Sequence, residues 1–400
     1  MLAVKLAAAI TREGKPMSSS IDAVLQGAVD AGAVPNVVAM AADRNGTIYE
    51  GAAGPRTVGQ GEPVTADSLF RIASMTKMVA TVAALQQLEQ GKLDLDAPVE
   101  QYCPQFADVK VLDGFDADTP RLRAPATKAT VRQLATHTSG LSYWFWNADI
   151  VKWEAVTGTS NVLGGKDEIF NAPMIADPGT KIEYGINIDW LGKVVEATSG
   201  ESLRDYIEAH IAGPLGMSDT TFLMDEQQRA RSVPIHVPGE DGAWVATDVD
   251  WNQQPDWWAG GHGLYSTPRD YLKFQQMLLG GGTFGGQKIL EPATVDAAFI
   301  NQVGDLEFPA EVKTADPNSS CDFNAGPGNK WGLGLMINTQ QQPGMRAAGS
   351  GTWAGICNTH FWIDRDTGIT GATYTQFLPF VTPASMQMYA DFEKALYASL

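Results

Sequence analysis

The sequence predicts an α+β fold in which an antiparallel sheet is flanked by helices and interrupted by an inserted, mainly helical lobe. Strand-like runs lie towards both ends of the chain and helical or irregular material fills its middle. At 400 residues the chain also exceeds what one hydrophobic core normally organises. The expected division is a discontinuous α/β lobe of residues 18–90 and 270–400, a helical lobe of residues 91–269, and a tail of residues 1–17. A cleft between two lobes is the natural place for a site.

The first 17 residues begin apolar, but Lys5 interrupts the run and leaves it too short for the hydrophobic core of a signal peptide. They are expected to form a tail or an amphipathic first turn, with Met17 a possible alternative start. Residues 35–54 alternate around Asn45-Gly46, a pair that tolerates positive φ at both turn positions, and so predict a β-hairpin. Between 74 and 90, Met75, Met78, Val79, Val82, Leu85 and Leu88 fall at helical spacing, and Gly91 supplies the stop. Residues 93–183 are loop-rich, with Asp177-Pro178-Gly179 a turn. Helices are expected at 188–198, 203–211 and 268–279, the last ending in Gly280-Gly281-Gly282. Strand-like runs follow at 332–338, 355–363 and 369–375, then an amphipathic helix at 384–396.

Composition excludes several classes of function. Hydrophobic residues at 44% and charged residues at 18% fit a folded globular chain. The net charge of -18 repels nucleic-acid phosphates and anionic lipid surfaces, so neither partner is expected. No apolar run is long enough to predict a transmembrane helix. Cys103, Cys321 and Cys357 are odd in number and far apart, which gives no disulfide framework and fits a reducing, cytoplasmic location.

Chemistry points to Ser74-Met75-Thr76-Lys77. Three residues apart on a helix, the two end side chains share a face, so the amine can touch the hydroxyl. A serine needs a base to become a nucleophile, and a lysine serves only if burial or a nearby cation lowers its pKa. A serine at a helix start is often only a cap, and a lysine after it is often solvated. Here Ser74 alone among the serines has lysine three places on, and the pair opens the most apolar helix of the chain.

The block Ser68-Leu69-Phe70-Arg71-Ile72-Ala73-Ser74-Met75-Thr76-Lys77 resembles the nucleophile block of the class C β-lactamase-like superfamily of penicillin-recognising serine hydrolases. Further motifs follow in order: His137-Thr138-Ser139-Gly140-Leu141, Glu183-Tyr184-Gly185 after Pro178-Gly179, and Gly260-Gly261-His262-Gly263 before a helix. The resemblance implies a β-lactamase/transpeptidase-like fold, an acyl-enzyme on Ser74, and Tyr184 as third catalytic residue. Lys77 would then share the role of base and supply the cation that lets the phenol ionise near neutral pH. By analogy with the family, the backbone N–H groups of Ser74 and Ile356 form the oxyanion hole.

Departures from the β-lactamase pattern narrow the substrate. Ile186 stands where those enzymes carry asparagine, Asn187 comes one place late, and no Lys-Thr-Gly occurs. Trp353-Ala354-Gly355-Ile356 instead resembles the Trp-Gly-Gly variant of family VIII carboxylesterases, which implies small, neutral esters and makes Trp353 and Gly355 candidate substrate contacts. Aromatic residues at 143–146 and Trp244, Trp251, Trp257 and Trp258 are either core or an acyl-selecting wall; Tyr143 and Trp258 are the candidate contacts among them.

His137, His262 and His360 have no Gly-x-Ser-x-Gly elbow to serve, and no His-Glu-x-x-His occurs, so no metal or cofactor is expected. His137 is expected to bond backbone behind the site. Alternatives with the same nucleophile are a β-lactamase, a D-amino-acid peptidase or an acyltransferase; a non-catalytic ligand-binding homologue is a further one.

Overall fold

The computed structural model describes residues 17–400. The expected tail lies almost wholly outside the described residues; Met17 instead opens helix α1, Met17–Asp30, which the sequence reading did not foresee. The Asn45-Gly46 hairpin forms β1, Val37–Asp43, and β2, Thr47–Ala53, and the Asp43 carboxylate closes the turn by accepting from Asn45 N at 2.7 Å and Gly46 N at 2.9 Å. Five later strands complete the sheet: β3 Lys330–Trp331, β4 Met336–Ile337, β5 Gly351–Gly355, β6 Thr359–Asp364 and β7 Ile369–Tyr374. The seven are antiparallel in the order β3-β4-β5-β6-β7-β1-β2. Val38 pairs with Tyr374 and Asp43 with Ile369, so the two ends of the sequence meet at the β7-β1 ladder.

Side chains alternate across the strands, and both faces of the sheet are covered. Val37, Ala39 and Ala41 point to a layer that contains Ile21 and Leu25 of α1 and Phe392 and Leu396 of α5, Pro383–Ser399. Val38, Met40 and Ala42 point the other way, into the main core. There they meet α2, Thr76–Glu89, and α4, Pro268–Leu279. Helix α2 is buried on nearly all sides and stops where expected, with Gly91 at φ 69°. Helix α3, Asn187–Ser199, lies against it through the same core.

Three readings of strands need correction. The expected strand at 355–363 is a tight turn followed by β6: Gly355 ends β5, Asn358 takes φ 64°, and its N–H donates to Gly355 O at 2.9 Å. The turn escaped notice because Ile356 and Cys357 are apolar. The run 332–338 narrows to β4 alone, because Gly334 bends the chain at φ 79°. Within the segment read as loop-rich, Val111–Asp116 pairs with Thr119–Arg123 as a hairpin.

A buried ion pair fastens α5. Arg346 Nε donates to Glu393 Oε1 at 2.8 Å, Arg346 N reaches the same oxygen at 2.8 Å, and Tyr389 Oη accepts from the guanidinium at 3.0 Å. Glu393→Ala leaves the Arg346 cation buried and unpaired, and is expected to cost about 3–5 kcal/mol of stability. Urea unfolding checks this as a lower midpoint at unchanged slope; an unmoved midpoint contradicts it.

Candidate active site

The chain is clamped just before Ser74. Phe70–Arg71 pairs with Tyr265–Ser266, Arg71 Nε donates to Asp250 Oδ1 at 3.0 Å, and Ile72 N reaches Leu264 O at 3.2 Å. Ala73 then adopts φ 44°, a left-handed conformation that costs a non-glycine residue about 1–2 kcal/mol. It turns the backbone so that Ser74 sits in a single 3-10 turn, Ala73–Met75, leading into α2. Neither this turn nor α2 has a side-chain cap at its start, so the Ser74 hydroxyl is not spent on capping.

Lys77 is 1% exposed, and all its donors have partners. Nζ lies 3.1 Å from Ser74 Oγ, 3.0 Å from Tyr143 Oη and 2.7 Å from Gly261 O. Burial disfavours the ammonium and pulls its pKa from 10.5 down to about 7, against the opposing charge of Asp189. Asp189 is the residue that sequence reasoning missed. It lies on α3, 1% exposed, with Oδ1 accepting from Gly261 N at 2.8 Å and Oδ2 accepting from Tyr143 Oη at 3.3 Å. Burial raises its pKa while Lys77 pulls it back. A lone acid in the apolar run Ile186-Asn187-Ile188-Asp189-Trp190-Leu191 was the available signal. Tyr143, expected as a substrate contact, gives its hydroxyl to this network.

Tyr184 faces the pair from the other side, with its ring centroid 4.7 Å from Lys77 Nζ and its hydroxyl accepting from Trp353 Nε1 at 3.0 Å. Burial pushes the phenol up, outweighing hydrogen bonds from Ser74 and Trp353 that pull it down. Lys77 is not among the groups that act on this phenol, and its buried surroundings favour the protonated form. Its loop packs without clearance on the preceding motif, since a Cβ on Gly185 would lie 2.3 Å from Ser142 Cα. Asn187 joins the two loops, donating to Leu141 O at 3.1 Å and Glu183 O at 3.2 Å, rather than facing Lys77.

Strand β5 brings the remaining candidates. Gly355 passes so close to the nucleophile turn that a Cβ would lie 2.3 Å from Ile72 O, which sets Ile356 beside Ser74. A small apolar pocket opens there, lined by Ser74, Tyr184, Trp353 and Ile356 and walled by Phe145, Trp146, Phe323 and Phe380. Among the described residues no charged side chain lines it.

A family model described as Beta-lactamase matches residues 21–395. The chain belongs to the beta-lactamase family. Among its curated relatives, the lovastatin esterase of Penicillium rubens is 32% identical, with 94% of this chain and 96% of that protein covered. The monacolin J acid methylbutanoyltransferase of Aspergillus terreus is also 32% identical, over 93% of both chains. Among solved structures, a LovD6 mutant of simvastatin synthase from Aspergillus terreus superposes with a TM-score of 0.80 at 32% identity, covering 94% of each chain. The fold is thus β-lactamase/transpeptidase-like, and the chain is an enzyme of a group that holds serine hydrolases and acyltransferases.

In this beta-lactamase family member one expected residue lies elsewhere than foreseen, and another is held differently. Trp258 lines a separate cavity with Phe222, Trp251, Trp257 and His262, under the Arg204 guanidinium at 5.2 Å, and the structure does not bring it to the Ser74 pocket. His137 does sit behind the site, 4.8 Å from the Tyr184 ring and 5.0 Å from Trp331, but among the described residues neither ring nitrogen has a hydrogen-bond partner. Burial and the Lys77 charge hold its pKa well below 6.5, so the ring is neutral packing and not a backbone tether. Among the described residues no cluster of three His, Cys, Asp or Glu side chains is placed to hold a metal, and no helix is long and apolar enough to cross a membrane.

Gly355→Ala tests the contact between β5 and the nucleophile turn. The added methyl displaces Ile356 from Ser74, and kcat/KM for an ester substrate is expected to fall at least about 10²-fold with the fold retained. Activity within threefold of wild type contradicts it.

Proposed function

We propose that this chain is a serine carboxylesterase of the family VIII type that cleaves small, uncharged esters through an acyl group carried on Ser74 Oγ. What supports it most is the buried Lys77 amine, 3.1 Å from the hydroxyl of Ser74, which itself lines an apolar pocket. With its pKa drawn down to about 7, this amine is a base that a solvated lysine would not be.

Neutral Lys77 takes the Ser74 proton as Oγ attacks the ester carbonyl. The oxyanion is assigned to the backbone N–H groups of Ser74 and Ile356. Tyr184, protonated because it is buried, gives its proton to the departing alkoxide and regains one from Lys77. Water then attacks the acyl carbon, Lys77 takes its proton, and collapse releases the carboxylic acid as Lys77 passes that proton to the departing Ser74 Oγ. The aromatic walls suit a short apolar acyl group, and Trp353 serves twice, as wall and as donor to Tyr184. A carboxylate-bearing lactam finds no cation in the lining.

Similarity to an acyltransferase favours a second reading in which an alcohol takes the acyl group in place of water. Both outcomes share one acyl-enzyme, and the product ratio in the presence of added alcohol separates them.

Hydrolysis of p-nitrophenyl acetate and butyrate by wild type and Ser74→Ala tests the assignment. The variant is expected to lose at least about 10³-fold in kcat; undiminished turnover overturns it. The base must be neutral to act, so kcat/KM is expected to fall as pH drops through about 7, where Lys77 takes up a proton. A flat profile between about pH 5.5 and 8.5 excludes Lys77 as the base.

A further inference from the structure

A carboxylate with no cation in contact is costly in a protein interior. Asp189 is such a group: among the described residues no lysine or arginine pairs with it directly, and the one charge acting on it is Lys77 through space. His262 Nδ1 lies 4.0 Å from Oδ1, but burial and Lys77 push that ring's pKa down to about 3, so it brings no charge. The other groups facing this centre are His137, neutral for the same reasons, and Tyr184 and Ser74, also uncharged.

What the Asp189 carboxylate does touch is specific. Oδ1 accepts from Gly261 N, whose own carbonyl accepts from Lys77 Nζ; Oδ2 accepts from Tyr143 Oη, which also lies on Nζ. Both arms therefore end on the catalytic amine. A neutral amine has two N–H groups and one lone pair. The Gly261 carbonyl can only accept. A Tyr143 hydroxyl whose proton is committed to Asp189 likewise accepts from Nζ. With both N–H groups so taken, the lone pair is left for the proton of Ser74, 3.1 Å away.

We propose that Asp189 is a positioning residue which, by fixing the direction of the Tyr143 hydroxyl, keeps the lone pair of Lys77 on Ser74 and balances the lysine cation formed when Ser74 is deprotonated. The inference rests on the esterase assignment above and deepens it. Without the carboxylate the Tyr143 proton turns onto the Lys77 lone pair and silences the base. An asparagine at 189 does this by presenting an N–H to the phenol oxygen.

The test is a double-mutant cycle of Asp189→Asn and Tyr143→Phe, read by kcat/KM against pH on p-nitrophenyl butyrate, with fluorophosphonate labelling of Ser74 counted by intact mass. D189N is expected to lower the plateau at least about tenfold and to move the acid limb down by about one pH unit, because the nearby negative charge is gone. Y143F in the D189N background removes the offending proton, so the double variant is expected to be at least as active as D189N alone. An acid limb in place with an unchanged plateau, or losses that simply add, overturns the proposal. If D189N does not fold, Y143F alone decides: cutting one arm lowers kcat several-fold, and an unchanged kcat overturns it. Absence of any Ser74 adduct in wild type sinks the esterase assignment instead, which keeps the two failures apart.

Discussion

An amine taken out of water must hand each N–H to an oxygen, and much of this protein's local architecture serves that requirement at Lys77. Its partners come from three separate stretches: the turn ahead of α2, the loop after the His137 motif, and the glycine-rich turn ahead of α4. Each must approach closely, which is why glycine stands at 185, 261 and 355, where a Cβ would meet backbone or the Asp189 carboxylate at under 2.5 Å. The left-handed Ala73 belongs to the same economy: local strain is tolerated because the strand pairing before it and the buried helix after it over-determine the turn.

Two tyrosines face one lysine, and their surroundings divide the work between them. Tyr143 is locked by a carboxylate and addresses the base, whereas Tyr184 takes its hydrogen bond from an indole and looks into the pocket. The low-polarity surroundings push amine and phenol in opposite directions, the amine towards its basic form and the phenol towards its acidic one. One physical cause therefore favours a neutral amine and a neutral phenol side by side, the pair that the proposed acyl transfer uses as proton acceptor and proton donor.

Local signals in the sequence were sufficient for the β1-β2 hairpin, the core of α2 and the whole of α4, because turn chemistry and helical spacing act over a few residues. Strand β5 was read at residues 353–356 from the family resemblance alone: Gly351, Ala354 and Gly355 carry little strand propensity, and pairing with β4 and β6 fixes the strand at Gly351–Gly355. Ser74, Lys77 and Tyr184 were named from motif order, and the structure brings them together. Asp189 had no motif, and its meaning depends on residues 143 and 261, which only the fold places beside it. Trp258 shows the converse: an aromatic cluster is visible in sequence, but which cavity each ring enters is a tertiary fact.

The β7-β1 ladder also has a consequence for how the protein matures. Helix α2 with its nucleophile is encoded early, yet Ile356 rides on the turn into β6, and β6 gains its place beside the hairpin only when Val38 finds Tyr374. Such distant pairing pays its loop-closure entropy late and folds slowly. A growing chain thus carries Ser74 long before Ile356 can stand beside it, and the proposed oxyanion donors come together only when the two ends of the sequence close the sheet.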